Sequence, residues 1–261
     1  MTMSDFPPGL VLILGAFLIP VVSRQIRIAL ILGLPLLVLW FIWAIPEGAF
    51  AVLPLFDYQL TFVRSDSLSR LFATVFSIMT FAGSLYALKQ ERLLELSAVF
   101  AYAGSAIGVV FAGDLISLFI FWEIMALAST LVVLSANHSL SYQVAMRYFL
   151  VHVFGGSLLL VGILAHVHTT GSTAFEAMEL NSFGTAMILA GFLINAAAPP
   201  LSAWLADAYP EASYTGTVFL SAFTTKAAVY ALLRGFPGTE ILIFIGLFMI
   251  FYGIIYALLE N

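Results

Sequence analysis

Long apolar stretches separated by short polar breaks run through most of the chain. Stretches of a length suited to a membrane helix, about 20 residues, occupy roughly 8–23, 27–46, 68–88, 94–112, 114–135, 143–166, 182–205, 213–234 and 238–258. This pattern predicts about nine transmembrane helices. Residues 47–67 break it: Phe56, Tyr58, Leu60 and Phe62 alternate with other positions, which predicts a short external hairpin. Residues 167–181 are polar enough for an external loop with a partial helix. The Gly113-Asp114 link is so tight that the fourth and fifth spans must be antiparallel neighbours. No internal sequence repeat, low-complexity tract or long linker is visible.

Composition sharpens the picture. Of 261 residues, 62% are hydrophobic and only 9% charged, against roughly a quarter charged in soluble chains. The mean hydropathy is +1.10. There is too little polar side chain to cover a water-facing surface, so the expected class is an all-α polytopic membrane protein. Continuous apolar runs argue against a transmembrane barrel, whose strands alternate. Nine Lys and Arg against fourteen Asp and Glu, with no basic stripe, argue against a nucleic-acid partner. No cysteine is present, which removes disulfides and thiolate metal sites. His138, His152, His166 and His168 have no metal-site spacing, with His138 expected in a cytoplasmic loop. No phosphate loop or nucleophile elbow appears, so neither a cofactor nor a catalytic centre is expected.

Met1 to Asp5 carries no positive charge before the first apolar run, so it does not read as a secretory signal. Arg24 and Arg27 follow that run and place the first loop in the cytoplasm, with the N-terminus outside. Alternation then sets Lys89, Arg92 and Arg147 on the cytoplasmic side, and Arg64, Arg70 and Arg234 outside.

Two charges fall within spans. Glu123 lies about 14 Å in from Asp114, close to the bilayer midplane. Lys226 lies near the middle of the eighth span. Intramembrane charges face a bundle interior or a wet cavity and mark ion or proton paths. A Glu123–Lys226 pair could equally fasten two helices, although buried ion pairs stabilise poorly. In the seventh span, Pro199 and Pro200 cannot donate to the carbonyls of Asn195 and Ala196, so the helix should break between Asn195 and Leu201. Irregular backbone at membrane depth needs protein or a wet cavity around it. Asn195 adds a donor and an acceptor there. His152, in the sixth span, could relay protons or be a satisfied bundle histidine. Ser117, Thr130, Ser221, Thr224 and Thr225 could hold waters or bond their own helices.

Three stretches together resemble the antiporter-like membrane subunits of Mrp cation/proton antiporters, respiratory complex I and membrane-bound hydrogenases. They are DLISLFIFWEIMALAST, NAAAPPLSAWLADAYPEAS and SAFTTKAAVYALLR, with RYFLVHVFGGSLLLVGIL between the first two. The resemblance covers about residues 65–235 and is nearest to the D-type subunit of the Mrp antiporters. It implies a fold of fourteen helices with two five-helix inverted repeats, each with one broken helix. It also implies a proton path through Glu123 and Lys226, with Asn195 at the position of that path's seventh-helix lysine; His152 joins the candidate path on its own chemistry, as a side chain that titrates near neutrality. The chain departs from the family pattern at three positions: Asn195 replaces the seventh-helix lysine, Ser202 a histidine and Ala206 a proline.

The expected organisation is 1–67, two helices and the hairpin; 68–93, a third helix; 94–235, a five-helix repeat; and 236–261, one further helix. The expected function is a proton-translocating subunit of a multisubunit Na+/proton antiporter or related energy-converting complex, in a prokaryotic plasma membrane. Its partners would be other membrane subunits, one supplying a second inverted repeat, with protons and Na+ as the transported ions. The alternatives are a non-transporting scaffold with the same fold, or a proton path in a redox or inorganic-carbon uptake complex.

Overall fold

The computed structural model describes residues 5–90, 92–136 and 139–259. Met1 to Ser4, at the head of the expected external N-terminus, and His138 lie outside them. The chain is a helical, multi-pass membrane protein. Its elements are α1 (Pro8–Leu18), α2 (Arg24–Ala44), β1 (Gly48–Leu55), β2 (Tyr58–Ser65), α3 (Ser67–Tyr86), α4 (Leu93–Phe111), α5 (Leu115–Leu134), α6 (Ser141–Thr170), α7 (Phe183–Asn195), α8 (Ala203–Glu211), α9 (Tyr214–Leu220), α10 (Thr224–Gly235) and α11 (Ile241–Leu259). Among the described residues, seven helical segments are long and apolar enough to cross a membrane. The stretches 8–23 and 182–205 contain shorter apolar helices, α1 and α7. Among the described residues, the nine apolar stretches thus correspond to seven helical segments of membrane-spanning length and two shorter apolar helices.

Helix α4 is the hub. Most of it is buried, from Leu96 to Phe111, and it packs on α5, α1, α3 and α10. Helices α4, α5, α6, α7 and α10 form a ring, which α10 closes by touching both α7 and α4. The Gly113-Asp114 link does make α4 and α5 antiparallel neighbours. Helix α11 lies at the edge, with none of its apolar window buried.

The hairpin expected at 47–67 is present: β1 and β2 pair antiparallel from Gly48–Ser65 to Leu55–Tyr58. It docks on the helix ends. The Gly113 N–H donates to the Thr61 carbonyl at 2.8 Å, and the Thr61 N–H donates to Asp114 Oδ2 at 2.7 Å. The stretch expected to be a loop with a partial helix differs. Helix α6 continues through Thr170, and residues 171–181 carry no helix, with a single antiparallel bridge from Ala174 to Asp114. The reason is tertiary: the Leu115 N–H donates to Thr173, the Phe175 N–H to Gly113 and the Met178 N–H to Gly235. Those backbone groups bond across the bundle end, and Phe175 is fully buried there.

Asp114 N-caps α5, accepting from the N–H groups of Ile116 and Ser117 and from the Ser117 hydroxyl. Burial raises its pKa, against the opposing pull of Ser117, Thr61 and Ile116. Asp66 caps α3 and forms an ion pair with Arg234 at 2.7 Å. Its carboxyl titrates below its ordinary value: burial pushes it up, but the Ser69 N–H and the Arg234 guanidinium together outweigh that.

Candidate functional site

The seventh helix breaks where the two prolines require it. Helix α7 ends at Asn195 and α8 begins at Ala203. Within the break the Ala196 N–H donates to Phe192, Ala197 to Ile194 and Ala198 to Leu193. Ala197 takes φ +59, in the left-handed region. Trp204, on α8, donates its indole N–H to the Ile194 carbonyl at 3.0 Å, tying the two halves together.

Asn195 is fully buried, and neither its Oδ1 nor its Nδ2 has a hydrogen-bond partner. Such an orphaned amide costs about 1–3 kcal/mol. It faces α6: a Cβ on Gly155 would lie 3.4 Å from Asn195 Oδ1. The same crossing brings Gly191 of α7 within 2.9 Å (from a built Cβ) of the Gly155 carbonyl. Small residues permit such close helix approach in a membrane.

Glu123, on α5, is half-buried and presses its carboxyl onto the next residue of α6. A Cβ on Gly156 would overlap Glu123 Oε1, so any larger residue there would displace the carboxyl from this position. That Oε1 is buried and without a hydrogen-bond partner. Gly155 and Gly156 thus bring the Asn195 amide and the Glu123 carboxyl to adjacent positions on α6.

His152 lies one turn earlier on α6 and is buried. Its Nδ1 is 2.9 Å from the Tyr148 carbonyl, while Nε2 has no partner. The ring stacks on Tyr148 at 4.0 Å and meets Trp204 edge-on at 4.7 Å. The Tyr148 hydroxyl is also buried without a hydrogen bond of normal geometry, and it faces the hydroxyls of Ser129 and Thr224. Glu123, Asn195, His152 and Tyr148 therefore each carry a buried polar atom without a hydrogen-bond partner, and all four belong to or touch the stretch 148–156 of α6; such atoms are what ordered water or a proton satisfies.

Lys226 departs from expectation. It does not form an ion pair with Glu123, and its side chain is exposed on the isolated chain. Its Nζ donates to the Ser221 carbonyl at 2.5 Å and to Thr225 Oγ1 at 3.1 Å. The cause is a second break, unforeseen in the sequence. The stretch 213–234 is two helices, α9 and α10, separated by Ser221–Phe223. Lys226 sits in the first turn of α10 and folds back onto that break. Side chains hold the break open. The Thr224 N–H donates to the Tyr102 hydroxyl at 2.8 Å, and that hydroxyl is 2.6 Å from Thr224 Oγ1. Tyr209 donates to the Leu220 carbonyl at 2.8 Å. Thr224 thus joins the Tyr148 cluster to the helix that carries Lys226.

Sequence reading also missed Glu95. It is fully buried in the first turn of α4, at the far end of the bundle from the hairpin. Ser213 Oγ donates to Glu95 Oε1 at 2.5 Å and Gln90 Nε2 at 3.1 Å, while Arg92 stands 3.8 Å from Oε2. Its place at a span end makes it look solvated. Only the arrival of Ser213, 118 positions away, shows otherwise.

Comparison with known proteins fits this geometry. The D-type subunit of the Na(+)/H(+) antiporter of Alkalihalophilus pseudofirmus is 25% identical over 94% of this chain and 56% of its own length. The M-type subunit of the NADH-quinone oxidoreductase of Escherichia coli K12 is 31% identical over 58% of this chain and 35% of its own length. A chain in the structure of the membrane-bound sulfane sulfur reductase, an archaeal respiratory membrane complex, shares the fold: TM-score 0.76 and 23% identity, over 89% of this chain and 53% of that one. The chain thus spans about a third to just over half the length of these curated relatives. The family described as NADH:quinone oxidoreductase/Mrp antiporter, TM, matches residues 112–261, from the head of α5 past both helix breaks, and the chain belongs to that family.

Proposed function

We propose that this chain is a proton-conducting unit of a multisubunit cation/proton antiporter, with Na+ as the exchanged cation. One observation carries the reading: the Glu123 carboxyl, buried and unpartnered at Oε1, is held against Gly156, and the orphaned amide of Asn195 faces the preceding residue of α6, Gly155. A packed apolar bundle has no use for such a pair of groups, whereas a proton path needs them.

In this reading Glu123 takes up and releases the proton. Asn195 and the backbone of the break orient the waters that deliver it. His152 and Tyr148 carry the polar thread to Thr224, and Lys226 passes the charge change outward. An exposed cation at membrane depth is costly by at least about 2.5–3.5 kcal/mol on insertion scales unless protein or water covers it. The reading therefore places another membrane subunit over Lys226 and the edge helix α11, and a second inverted repeat is the natural occupant. The organisation stays 1–67, 68–93, 94–235 and 236–261, in a prokaryotic plasma membrane with the N-terminus outside.

The test uses everted vesicles containing the whole complex. Added Na+ should dissipate a preformed pH gradient, and Glu123→Gln should abolish that response while leaving the complex assembled. Full exchange in the assembled variant would refute the assignment.

A non-transporting scaffold is the second reading, and Asn195 in place of the family's lysine favours it, because an amide does not titrate. Asn195→Lys separates the two. In a conducting unit it adds a titrating cation at the site, so the pH profile of exchange moves or the activity rises. An unchanged profile in the assembled complex would favour the scaffold.

A further inference from the structure

Nine Lys and Arg occur in the chain. Five of them, Arg64, Arg70, Arg92, Arg147 and Arg234, have a carboxylate within ion-pair distance. Among the described residues Arg24, Arg27, Lys89 and Lys226 do not. Three of these four meet in one place. A cavity of about 200 Å³ is lined by Arg24, Arg27 and Lys89, with Gln90 beside them and Ile28 and Ile31 deeper in the same wall. The cations come from the first turn of α2 and from the α3–α4 link, more than sixty positions apart, at the same end of the bundle. No carboxylate lines the cavity among the described residues.

The site is built in two further respects. Arg27 is held in place, with Nε donating to the Ile19 carbonyl at 3.1 Å and Nη2 to the Val22 carbonyl at 3.2 Å. Arg24 is the first residue of α2, a helix of 21 residues whose N-cap, Ser23, makes no side-chain capping bond. The positive end of that helix therefore opens beside the cations. The apolar wall of Ile28 and Ile31 continues from the charged mouth along the helix, toward the depth where acyl chains lie.

We propose that this cavity binds a phosphate-bearing anion, with the headgroup of an anionic phospholipid and free phosphate as its two possible sources. Three cations with no carboxylate partner among the described residues, around a small polar mouth, match one phosphate, and basic pockets between membrane helices bind anionic headgroups by this chemistry. The site is separate from the Glu123 cluster, so the proposal does not depend on the transport reading.

The test uses the full chain, with whatever membrane subunits accompany it, transferred into lipid nanodiscs. Native mass spectrometry compares retention of phosphatidylglycerol with phosphatidylcholine. Calorimetry in nanodiscs of phosphatidylcholine alone measures saturable binding of inorganic phosphate. Preferential retention of phosphatidylglycerol identifies a lipid site. Saturable phosphate binding without lipid preference identifies a free-anion site. In either case Arg24→Gln and Lys89→Gln should weaken binding roughly fivefold for each charge removed. Lys89→Gln alone, on an exposed side chain away from the Arg27 caps, keeps the test valid if the double variant fails to fold. The proposal is overturned if neither anion is retained, or if the folded variants retain it as wild type does.

Discussion

The tightest fit around the site is between one carboxyl and one missing methyl group. Glu123 Oε1 occupies the space a Cβ would take on Gly156. Gly156→Ala should therefore expel the carboxyl from its place and abolish or strongly reduce proton movement. Its neighbour offers a control. A Cβ on Gly155 would meet Ile194 Cγ2 at 3.1 Å, a contact that a few tenths of an ångström relieves. Gly155→Ala should retain more activity than Gly156→Ala when exchange is measured in the same vesicles, and equal loss in both would show that the Glu123 fit is not what matters. The sequence alone shows Glu123 as a charge at membrane depth. It cannot show Gly156 as its counterpart, because that pairing depends on how α5 and α6 cross.

Two helices break, and only one break is visible in the sequence. Pro199 and Pro200 remove backbone donors by covalent structure, so the α7–α8 break is written locally. The α9–α10 break has neither proline nor glycine in Ser221–Phe223. It exists because Tyr102, from distant α4, and Tyr209, from neighbouring α8, satisfy the groups it frees. That explains why Lys226, expected to face Glu123, does not. Tyr102→Phe should destabilise the chain by about 1–3 kcal/mol, since it leaves the buried Thr224 donor unpaired. Denaturant unfolding in detergent measures it, and an unchanged midpoint would mean that the hydroxyl does not hold the break. The α3 cap makes a matching prediction with pH. The folded-state pKa of Asp66 lies below its ordinary value of 3.8. The stability it contributes is thus complete above that value and is lost as pH falls through the lower folded-state value. Asp66→Asn should remove that part of the acid dependence and loosen α3 from Arg234 on α10. Thermal unfolding followed from neutral to acid pH would detect it, and superimposable acid limbs for the two proteins would contradict it.

At the scale of the whole molecule, the apolar runs and the hairpin are legible in the sequence because their signals are local: length for helices, alternation for strands. The ring closed by α10 against α4 and α7 is not, nor is the burial of Glu95, because both rest on contacts between residues far apart in the chain. The ring leaves one lysine and one wholly apolar helix, α11, on its outside, as expected of a unit that works within a larger membrane assembly. Within the ring, a protonating carboxyl at position 123 is proposed to carry the flux. Proton uptake driven by an imposed membrane potential, in vesicles holding the assembled complex, tests this most directly when wild type is compared with Glu123→Gln and Glu123→Asp. The expected result is no uptake with Gln and a partial return with Asp, which keeps a titrating group at a shorter reach. Wild-type uptake by the assembled Glu123→Gln complex would contradict the account.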